Sequence, residues 1–399
     1  MSAEEVWVQE YSLGGELSGR AREELEYKLN FVEGVRAEWR EQSVRVHARA
    51  GDQNAIAAIH EILGRTLGRK SKRNKVVWEH PTSGGTNQSD VYAELLARGD
   101  VVEEGSGLLS FRGVVDALLH YFDSLFVRST VRFQATAESY PGLIPAKILE
   151  RCGHFEAFPQ HLCFVSHTAE NPLLYDGFAS DWQRHQGGPE MARYFQPSGN
   201  VLSPSVCYHS YLTRERASIP QPGVCVTAVG KCFRHEAANV RGLERMSEFT
   251  MREIVFIGAR EYTDRCREQT IELAKEWAVE HGLSGHIEAA NDPFFTQGAR
   301  DRERYQRGFE LKYELRLSLP FERRTVAVAS MNIHEEFFGR QFAIEVEGGG
   351  VASTACMGIG VDRWVYAFLA QYGLDQARWP EFVRRFVNDW RGRGSNEKN

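Results

Sequence analysis

Residues 231–258, KCFRHEAANVRGLERMSEFTMREIVFIG, show a strand pattern that charged residues interrupt. Side chains alternate between the two faces of a strand, so Arg234 and Glu236 are predicted to point the same way. After a loop, a second strand places Glu253 on one face with Phe249, Met251, Val255 and Ile257. A buried carboxylate is costly unless a cation pairs with it, and a metal ion is the strongest candidate.

A second charged segment lies downstream in STACMGIGVDRWVYAFL, residues 353–369. Its glycines permit a tight strand-to-helix turn, which places Arg363 in the first turn of the predicted helix. A guanidinium group there can reach phosphates or stack on a base. Each segment alone occurs by chance, whereas the two in this order form a specific signal.

The composition indicates an ordinary globular protein. The chain has 399 residues, 42% of them hydrophobic and 11% aromatic, which suits one large or two moderate domains. Its net charge of −6 argues against a nucleic acid as the main partner. The N-terminal MSAEEVW is not typical of a signal peptide, and no apolar run is long enough to cross a bilayer. Seven cysteines without a CxxC pair favour a reducing compartment, so we expect a cytoplasmic protein without membrane association.

Four segments are predicted along the chain. Residues 1–80 alternate strand and helix patterns and suggest a small α+β module of the βαββα kind. Residues 81–105 are predicted as a linker, 106–390 as the main domain and 391–399 as a disordered tail. The basic run GRKSKRNK at 68–75 is either a solvated linker or a docking patch for an acidic partner.

The main domain is predicted to be α+β. FRGVVDALLHYFDSLFVRS and EYTDRCREQTIELAKEWAVEHG read as helices, while VRFQATAE, HIEAA, LKYELRLSLP, TVAVASMNI and QFAIEVE read as strands. Hairpin-like connections favour an antiparallel sheet. Neither common glycine-rich phosphate loop appears, so a nucleotide must be held in another way.

The two charged segments together resemble motifs 2 and 3 of class II aminoacyl-tRNA synthetases. FRHE and RGLERMSEF resemble the seryl branch, and Cys207 in SVCYHS, Glu253 in MREIVFIG and Cys356 in TACMGIG stand where archaeal-type seryl enzymes have zinc ligands. A shorter group, the amino acid:[carrier protein] ligases, keeps the same three residues. The similarity to that group covers roughly residues 110–372 and includes ANDPFF, ELKYEL, NIHEEFFG and CMGIGVDR.

The resemblance implies a class II synthetase catalytic domain, with an antiparallel sheet flanked by helices, that forms an aminoacyl-adenylate from ATP. The implied catalytic residues are Arg234 on the reacting phosphate, Glu236 on the adenine amino group and Arg363 on the terminal phosphate. Arg245, Met246 and Ser330 are implied as further contacts to ATP. Magnesium would enter with ATP.

The resemblance also implies zinc bound by Cys207, Glu253 and Cys356, with Glu253 and Asn332 facing the amino acid. Three protein ligands leave a fourth position open, which is typical of a working zinc site. The substrate's α-amino group would occupy it. Taken alone, a cysteine such as Cys207 is more often a small buried hydrophobic residue.

The sequence leaves open mainly which acceptor receives the activated amino acid. The ligase resemblance predicts the phosphopantetheine thiol of an acyl or peptidyl carrier protein, and tRNA is not the expected acceptor. The alternatives are a seryl-type tRNA synthetase and a regulator without activity. A homodimer is expected by analogy with class II enzymes, in which motif 1 builds the dimer and ends in a proline. Here Gln134 stands near that position and Pro141 lies further on. The ligases lack a counterpart of residues 1–75, so we expect their removal to spare adenylate formation.

Overall fold

The computed structural model describes residues 6–13, 19–67, 74–81, 87–290 and 311–396. Most of GRKSKRNK and of ANDPFF lies outside the described residues, so the predictions made for those two segments stay predictions. Within the described ranges, no helix is both long enough and apolar enough to cross a membrane.

The N-terminal module has the βαββα order that the sequence predicts. It consists of β1 (Val6–Ser12), α1 (Gly19–Leu29), β2 (Arg36–Trp39), β3 (Ser43–Arg49) and α2 (Gln53–Thr66). β3 pairs antiparallel with both other strands. The module has its own small core, formed by Leu13, Leu25, Leu29, Val44, Val46, Ala48, Ile59 and Leu63. The side chain of Asp52 accepts a hydrogen bond from the amide of Ala55 and so caps the start of α2.

The predicted boundary after residue 80 and the linker at 81–105 are both wrong in part. β4 (Val76–His80) pairs antiparallel with residues 285–288 of the main domain. α3 (Val91–Arg98) and β5 (Val101–Gly105) then occupy much of the predicted linker. Asp90 caps α3, and Leu95 and Val101 are fully buried, so apolar burial orders this segment. β5 forms a hairpin with β6 (Leu108–Phe111).

The main domain is built on an eight-stranded sheet, as the α+β class requires. Its remaining strands are β7 (Thr136–Ala137), β12 (Gly223–Phe233), β13 (Glu248–Gly258), β14 (Gly285–Ala289), β15 (Lys312–Leu319), β16 (Arg324–Glu335) and β19 (Ser353–Gly360). The strand order is β4-β14-β15-β16-β19-β13-β12-β7. Every neighbouring pair is antiparallel except β12 and β7, which confirms the predicted antiparallel sheet.

Four helices accompany this sheet and share one apolar core. They are α4 (Gly113–Ser129), α9 (Arg260–Glu280), α11 (Val361–Tyr372) and α12 (Glu381–Asn396). Phe122 and Phe126, four residues apart on α4, pack against Trp364 of α11. Trp277 of α9 joins them and is 2% exposed. Burial of these rings holds the helical layer to the sheet.

Smaller elements surround the other face. They are β8 (Leu143–Pro145), α5 (Ala146–Arg151), α6 (His154–Ala157), β9 (Phe164–Thr168), α7 (Tyr175–His185), β10 (Phe195–Leu202), α8 (Cys207–Leu212), β11 (Ser218–Ile219), α10 (Phe337–Phe342), β17 (Glu345–Val346) and β18 (Gly350–Val351). They form two three-stranded sheets, β8-β10-β9 and β11-β17-β18, with short helices between them.

Three local predictions differ from the structure. VRFQATAE is mostly not a strand, because a 3-10 turn at Thr130–Phe133 ends with Gln134 at a φ of 52°. QFAIEVE is split between α10 and β17, because Phe338 and Phe342 bury together on one helical face. The tail predicted as disordered at 391–399 is helical through Asn396, and residues 397–399 lie outside the described ranges.

Candidate active site

The register of three neighbouring strands brings the predicted substrate and metal residues onto one face of the sheet. Glu253 on β13 lies opposite Gly358 on β19, which in turn lies opposite Ser330 on β16. Cys356, two residues from Gly358, pairs with Asn332. Residues two apart on a strand share a face, so these side chains converge. β16 continues past Ser330 to Glu335, so Ser330 lies inside the strand.

Cys207 completes a cluster of three possible metal ligands. It begins α8, which lies over this face, and its sulfur, the Cys356 sulfur and a Glu253 oxygen all lie within 4.8 Å of one another. All three residues are buried. Zinc binds sulfur at about 2.3 Å, so a single ion could reach all three atoms.

The electrostatics of the cluster suit a cation. Burial, followed by the nearby Cys356 sulfur, raises the pKa of Glu253 to about 7. A hydrogen bond between the cysteines holds the pKa of Cys356 well below its ordinary value and raises that of Cys207. Oxygen Oε2 of Glu253 is buried without a hydrogen-bond partner. A buried acceptor is costly unless something satisfies it, and a divalent cation would do so. The residues therefore fit zinc.

Polar neighbours orient the three ligands. The Ser205 hydroxyl donates to Glu253 Oε1 at 2.7 Å and lies 3.2 Å from the Cys207 sulfur. Near Cys356, Asn332 Nδ2 lies 3.6 Å and His334 Nε2 3.7 Å from the sulfur. Asn332 also donates to Ser330 Oγ at 3.1 Å. Asn332 thus links the cluster to Ser330, which the family resemblance implies as a contact to ATP.

The predicted nucleotide residues lie beside the cluster. Nε and Nη2 of Arg234 donate to the carbonyl of Pro204 at 3.2 and 3.1 Å, and its guanidinium lies 5.1 Å from the centre of the Phe249 ring. The side chain is therefore held in one place as a fixed cation. Glu236 is only 4% exposed and accepts a hydrogen bond from Nη1 of Arg245 at 3.1 Å.

Arg363 is held by main-chain oxygens. Its Nε donates to the carbonyl of Glu244 at 2.7 Å and its Nη1 to that of Ala327 at 3.1 Å. Burial, followed by the charge of Arg245, lowers the pKa of Arg363 to about 10, so it stays cationic at neutral pH. Met246 is 3% exposed and lines a small side pocket with Arg234, Glu236 and Arg363.

A cavity of about 1220 Å³ joins the two halves of the site. The lining residues that were predicted from the sequence are Cys207, Arg234, Glu236, Arg245, Glu253, Ser330, Asn332, Cys356 and Arg363. Met246 is the predicted residue that lies in the side pocket instead. Gly358 keeps the floor open, since a Cβ there would lie 3.0 Å from Cε of Met251 and 3.9 Å from Cδ of Glu253. The arrangement can hold a long ligand with an anionic part at the arginines and a metal-binding end at the cysteines.

Among the cavity residues that sequence reasoning missed, two contact the predicted residues directly. Ser205 precedes Cys207 by two residues, and nothing in its local pattern distinguishes it from a loop serine. Tyr27, on α1 of the N-terminal module, also lines the cavity. Its hydroxyl lies 2.7 Å from Nε2 of His161, and the guanidinium of Arg245 lies 4.7 Å from the centre of its ring. This contact argues against the expectation that the module is separate from adenylate formation.

The sequence similarity of this chain to known proteins indicates the same family as the geometry of the site does. The family described as tRNA synthetase class II core domain (G, H, P, S and T) matches residues 209–372. The type-2 serine--tRNA ligase of Methanothermobacter thermautotrophicus is 30% identical over 289 residues, which cover 70% of this chain and 56% of that protein. This chain thus spans little more than half the length of that relative. Amino acid--[acyl-carrier-protein] ligase 2 of Bradyrhizobium diazoefficiens is 34% identical over 248 residues, covering 61% of this chain and 72% of that protein.

Among solved structures, M. kandleri SerRS in complex with A. aeolicus tRNASec superposes with a TM-score of 0.71 at 22% identity. The match covers 97% of this chain and 78% of the other, so the likeness in fold extends beyond the catalytic sheet. On the combined evidence of the sheet, the two motifs and these relatives, the chain belongs to the class II aminoacyl-tRNA synthetase family.

Proposed function

We propose that this protein uses ATP to activate a small amino acid as an aminoacyl-adenylate and then transfers it to the phosphopantetheine thiol of a carrier protein. The observation that supports the activation step is that the predicted nucleotide residues and the metal-ligand cluster share one cavity. Arg234, Glu236 and Arg363 border the same space as the Cys207–Glu253–Cys356 cluster. A nucleotide at the arginines and an amino acid at the cluster would therefore meet within it.

In the first step the amino acid's carboxylate attacks the α-phosphorus of MgATP, and the bond to the β-phosphate oxygen breaks. The carboxylate is already the nucleophile, so no general base is needed. Negative charge grows on the α-phosphate oxygens, and Arg234, already held by Pro204 and Phe249, would stabilise it without reorganising. Arg363 would hold the terminal phosphate until pyrophosphate leaves.

Selection of the amino acid falls to the buried end of the cavity. Cys207, Glu253 and Cys356 would hold zinc, which when bound supplies a Lewis-acidic position for a neutral α-amino group. Asn332 lies 3.6 Å from the Cys356 sulfur and would orient the substrate between the cluster and Ser330. Because an amino group would be required at this end of the cavity, carboxylic acids without one would be excluded as substrates.

The carrier-protein acceptor is favoured by the extent of similarity. The chain covers 72% of the Bradyrhizobium amino acid--[acyl-carrier-protein] ligase but 56% of the Methanothermobacter serine--tRNA ligase. In the transfer step the thiol would attack the adenylate carbonyl, and AMP would leave. The second candidate is tRNA charging. It is supported by the likeness in fold between 97% of this chain and a synthetase whose structure was solved with tRNA.

The first experiment is amino-acid-dependent ATP–pyrophosphate exchange over a panel of glycine, alanine, serine and their small relatives, with and without a zinc chelator. Exchange that one amino acid supports and the chelator abolishes is the expected result. No exchange from folded, zinc-loaded protein would overturn the activation proposal.

The acceptor is then tested by supplying the labelled amino acid with either holo-carrier protein or total tRNA. We expect label on the holo-carrier protein and none on an apo-carrier protein that lacks the thiol. Label on tRNA alone would replace this acceptor with the second candidate.

A further inference from the structure

The C-terminal end of α1 is clamped onto the turn that follows β12 in the main domain. This turn, residues 236–239, begins with Glu236, the residue proposed to read adenine. The end of α1 supplies Tyr27 and Asn30, which belong to the N-terminal module, and that module has its own apolar core. The two segments meet at the wall of the large cavity.

Tyr27 contacts the cavity residues directly. It is 7% exposed, its hydroxyl lies 2.7 Å from Nε2 of His161, and its ring lies under the guanidinium of Arg245. Arg245 in turn donates to Glu236 at 3.1 Å. A cation over an aromatic face is attracted by the ring quadrupole, more so when both are desolvated. Tyr27 therefore limits where Arg245, and through it Glu236, can lie.

Asn30 contacts the same turn through its side chain and through its main-chain carbonyl. Its Nδ2 donates to Oδ1 of Asn239 at 3.0 Å, and Nδ2 of Asn239 donates back to the carbonyl of Tyr27 at 3.1 Å. The amide of Ala238 lies 3.4 Å from the carbonyl of Asn30. Ala237 has a φ of 47°, a left-handed conformation that a residue other than glycine adopts only when its surroundings impose it. The end of α1 provides such surroundings.

We propose that Tyr27 and Asn30 are positioning residues of the nucleotide site, so that the N-terminal module forms a structural wall of the adenine pocket. The inference rests on the proposed function, because it takes ATP as the ligand beside Glu236. Without the clamp, the turn at Ala237 relaxes, and Glu236 and Arg245 are no longer held where the adenine arrives. The loss falls on ATP binding and leaves the zinc end of the cavity unchanged.

The test uses the full-length protein with Tyr27→Ala and Asn30→Ala, measured by calorimetric ATP binding and by exchange kinetics. We expect the Kd and KM for ATP to rise roughly tenfold, as misplaced binding groups do. The KM for the amino acid and the zinc content stay at the wild-type level. Tyr27→Phe keeps the ring beneath Arg245 and should restore most of the ATP affinity.

Tyr11→Ala is the matched control. Tyr11 lies in the same module, and its hydroxyl contacts His60 there at 3.2 Å. A general loss of module stability would lower the melting temperature of both Tyr11→Ala and Tyr27→Ala. The KM for ATP would then not change separately from the KM for the amino acid. If Tyr27→Ala does not fold, Asn30→Ala decides the question, since Asn30 is only half-buried.

The two proposals fail in different ways. Wild-type protein that binds no ATP would overturn the proposed function itself. Wild-type protein that binds ATP, together with folded Tyr27→Ala and Asn30→Ala proteins of unchanged ATP affinity, would overturn the positioning role.

Discussion

The hydroxyl of Ser205 lies 2.7 Å from Oε1 of Glu253 and 3.2 Å from the sulfur of Cys207, so one side chain bridges two of the three candidate zinc ligands. Glu253 can bind a metal through one oxygen only if its carboxylate group is held at a fixed rotation. The hydrogen bond from Ser205 to Oε1 fixes that rotation, while Oε2 stays buried without a hydrogen-bond partner. Such neighbours of a metal site set both its geometry and its affinity.

Ser205→Ala should therefore weaken zinc binding by about 10- to 100-fold while leaving the fold intact. The measurement is competition for zinc against a chromophoric chelator, with circular dichroism as the check on folding. Ser210→Ala serves as the control, because Ser210 is a buried serine on the neighbouring helix α8 whose hydroxyl accepts a hydrogen bond from Tyr140. Equal zinc affinity in both variants would contradict the bridging role.

Cys207→Ser should abolish stoichiometric zinc and amino-acid activation without unfolding the protein. Serine is isosteric with cysteine but is a poor ligand for zinc, whose preference is for thiolate, imidazole and carboxylate. Metal content by atomic emission and exchange activity are the two readouts. Cys266→Ser is the matched control, since Cys266 is also buried but lies on α9 in the main core. Full activity from zinc-free Cys207→Ser protein would remove the metal from the mechanism.

Glu236→Gln should weaken ATP binding roughly tenfold or more, because a hydrogen bond to a charged acceptor contributes about 1.5–3 kcal/mol. The adenine amino group donates at the position where guanine presents a carbonyl oxygen. A carboxylate rejects that oxygen, whereas an amide can donate to it, so the preference for ATP over GTP should also narrow. Binding of both nucleotides is measured by calorimetry.

Glu248→Gln is the control for that change. Glu248 also flanks the loop after β12, but its carboxylate pairs with Lys231 at 3.3 Å near the surface. Its substitution should leave both affinities unchanged. A Glu236→Gln protein with wild-type discrimination between ATP and GTP would mean that another group reads the base.

The sequence is informative about this site where a charge interrupts a periodic pattern. Glu253 could be identified because it shares a strand face with four apolar residues, and the antiparallel sheet follows from the same alternation. Cys207 and Cys356 gained meaning only through the family resemblance. Both the fold class and the family agree with what the structure and the relatives show.

What escaped prediction depends on distant contacts. Tyr27 reaches the cavity only because α1 docks against the turn after Glu236, and neither segment carries a local signal of the other. The strand predicted for QFAIEVE begins too early, at the last two residues of the helix Phe337–Phe342, because a short apolar run fits both periods. α3 was read as linker because the loop before it is rich in turn residues, although Leu95 anchors it in the core.

Asp123→Ala should reveal how much the ion pair between Asp123 and Arg252 stabilises β13, the strand that carries the candidate zinc ligand Glu253. Arg252 points to the opposite face from Glu253, is 5% exposed, and pairs bidentately with Asp123 on α4, with Nη2 at 2.8 Å from Oδ2. Its Nη1 also donates to Thr227 Oγ1 at 3.0 Å. Removing Asp123 leaves a buried guanidinium without its counter-ion. Because Asp123 is itself partly exposed, we expect water to compensate in part and the free energy of unfolding to fall by about 2–3 kcal/mol.

The measurement for Asp123→Ala is urea denaturation of the zinc-loaded protein, beside Asp264→Ala. Asp264 forms an exposed pair with Arg260 at 3.6 Å, which contributes at most about 0.5 kcal/mol. The two variants remove the same group from the same fold, so their difference isolates the burial of the partner arginine. Equal losses in both would mean that the charge of Arg252 is satisfied without Asp123.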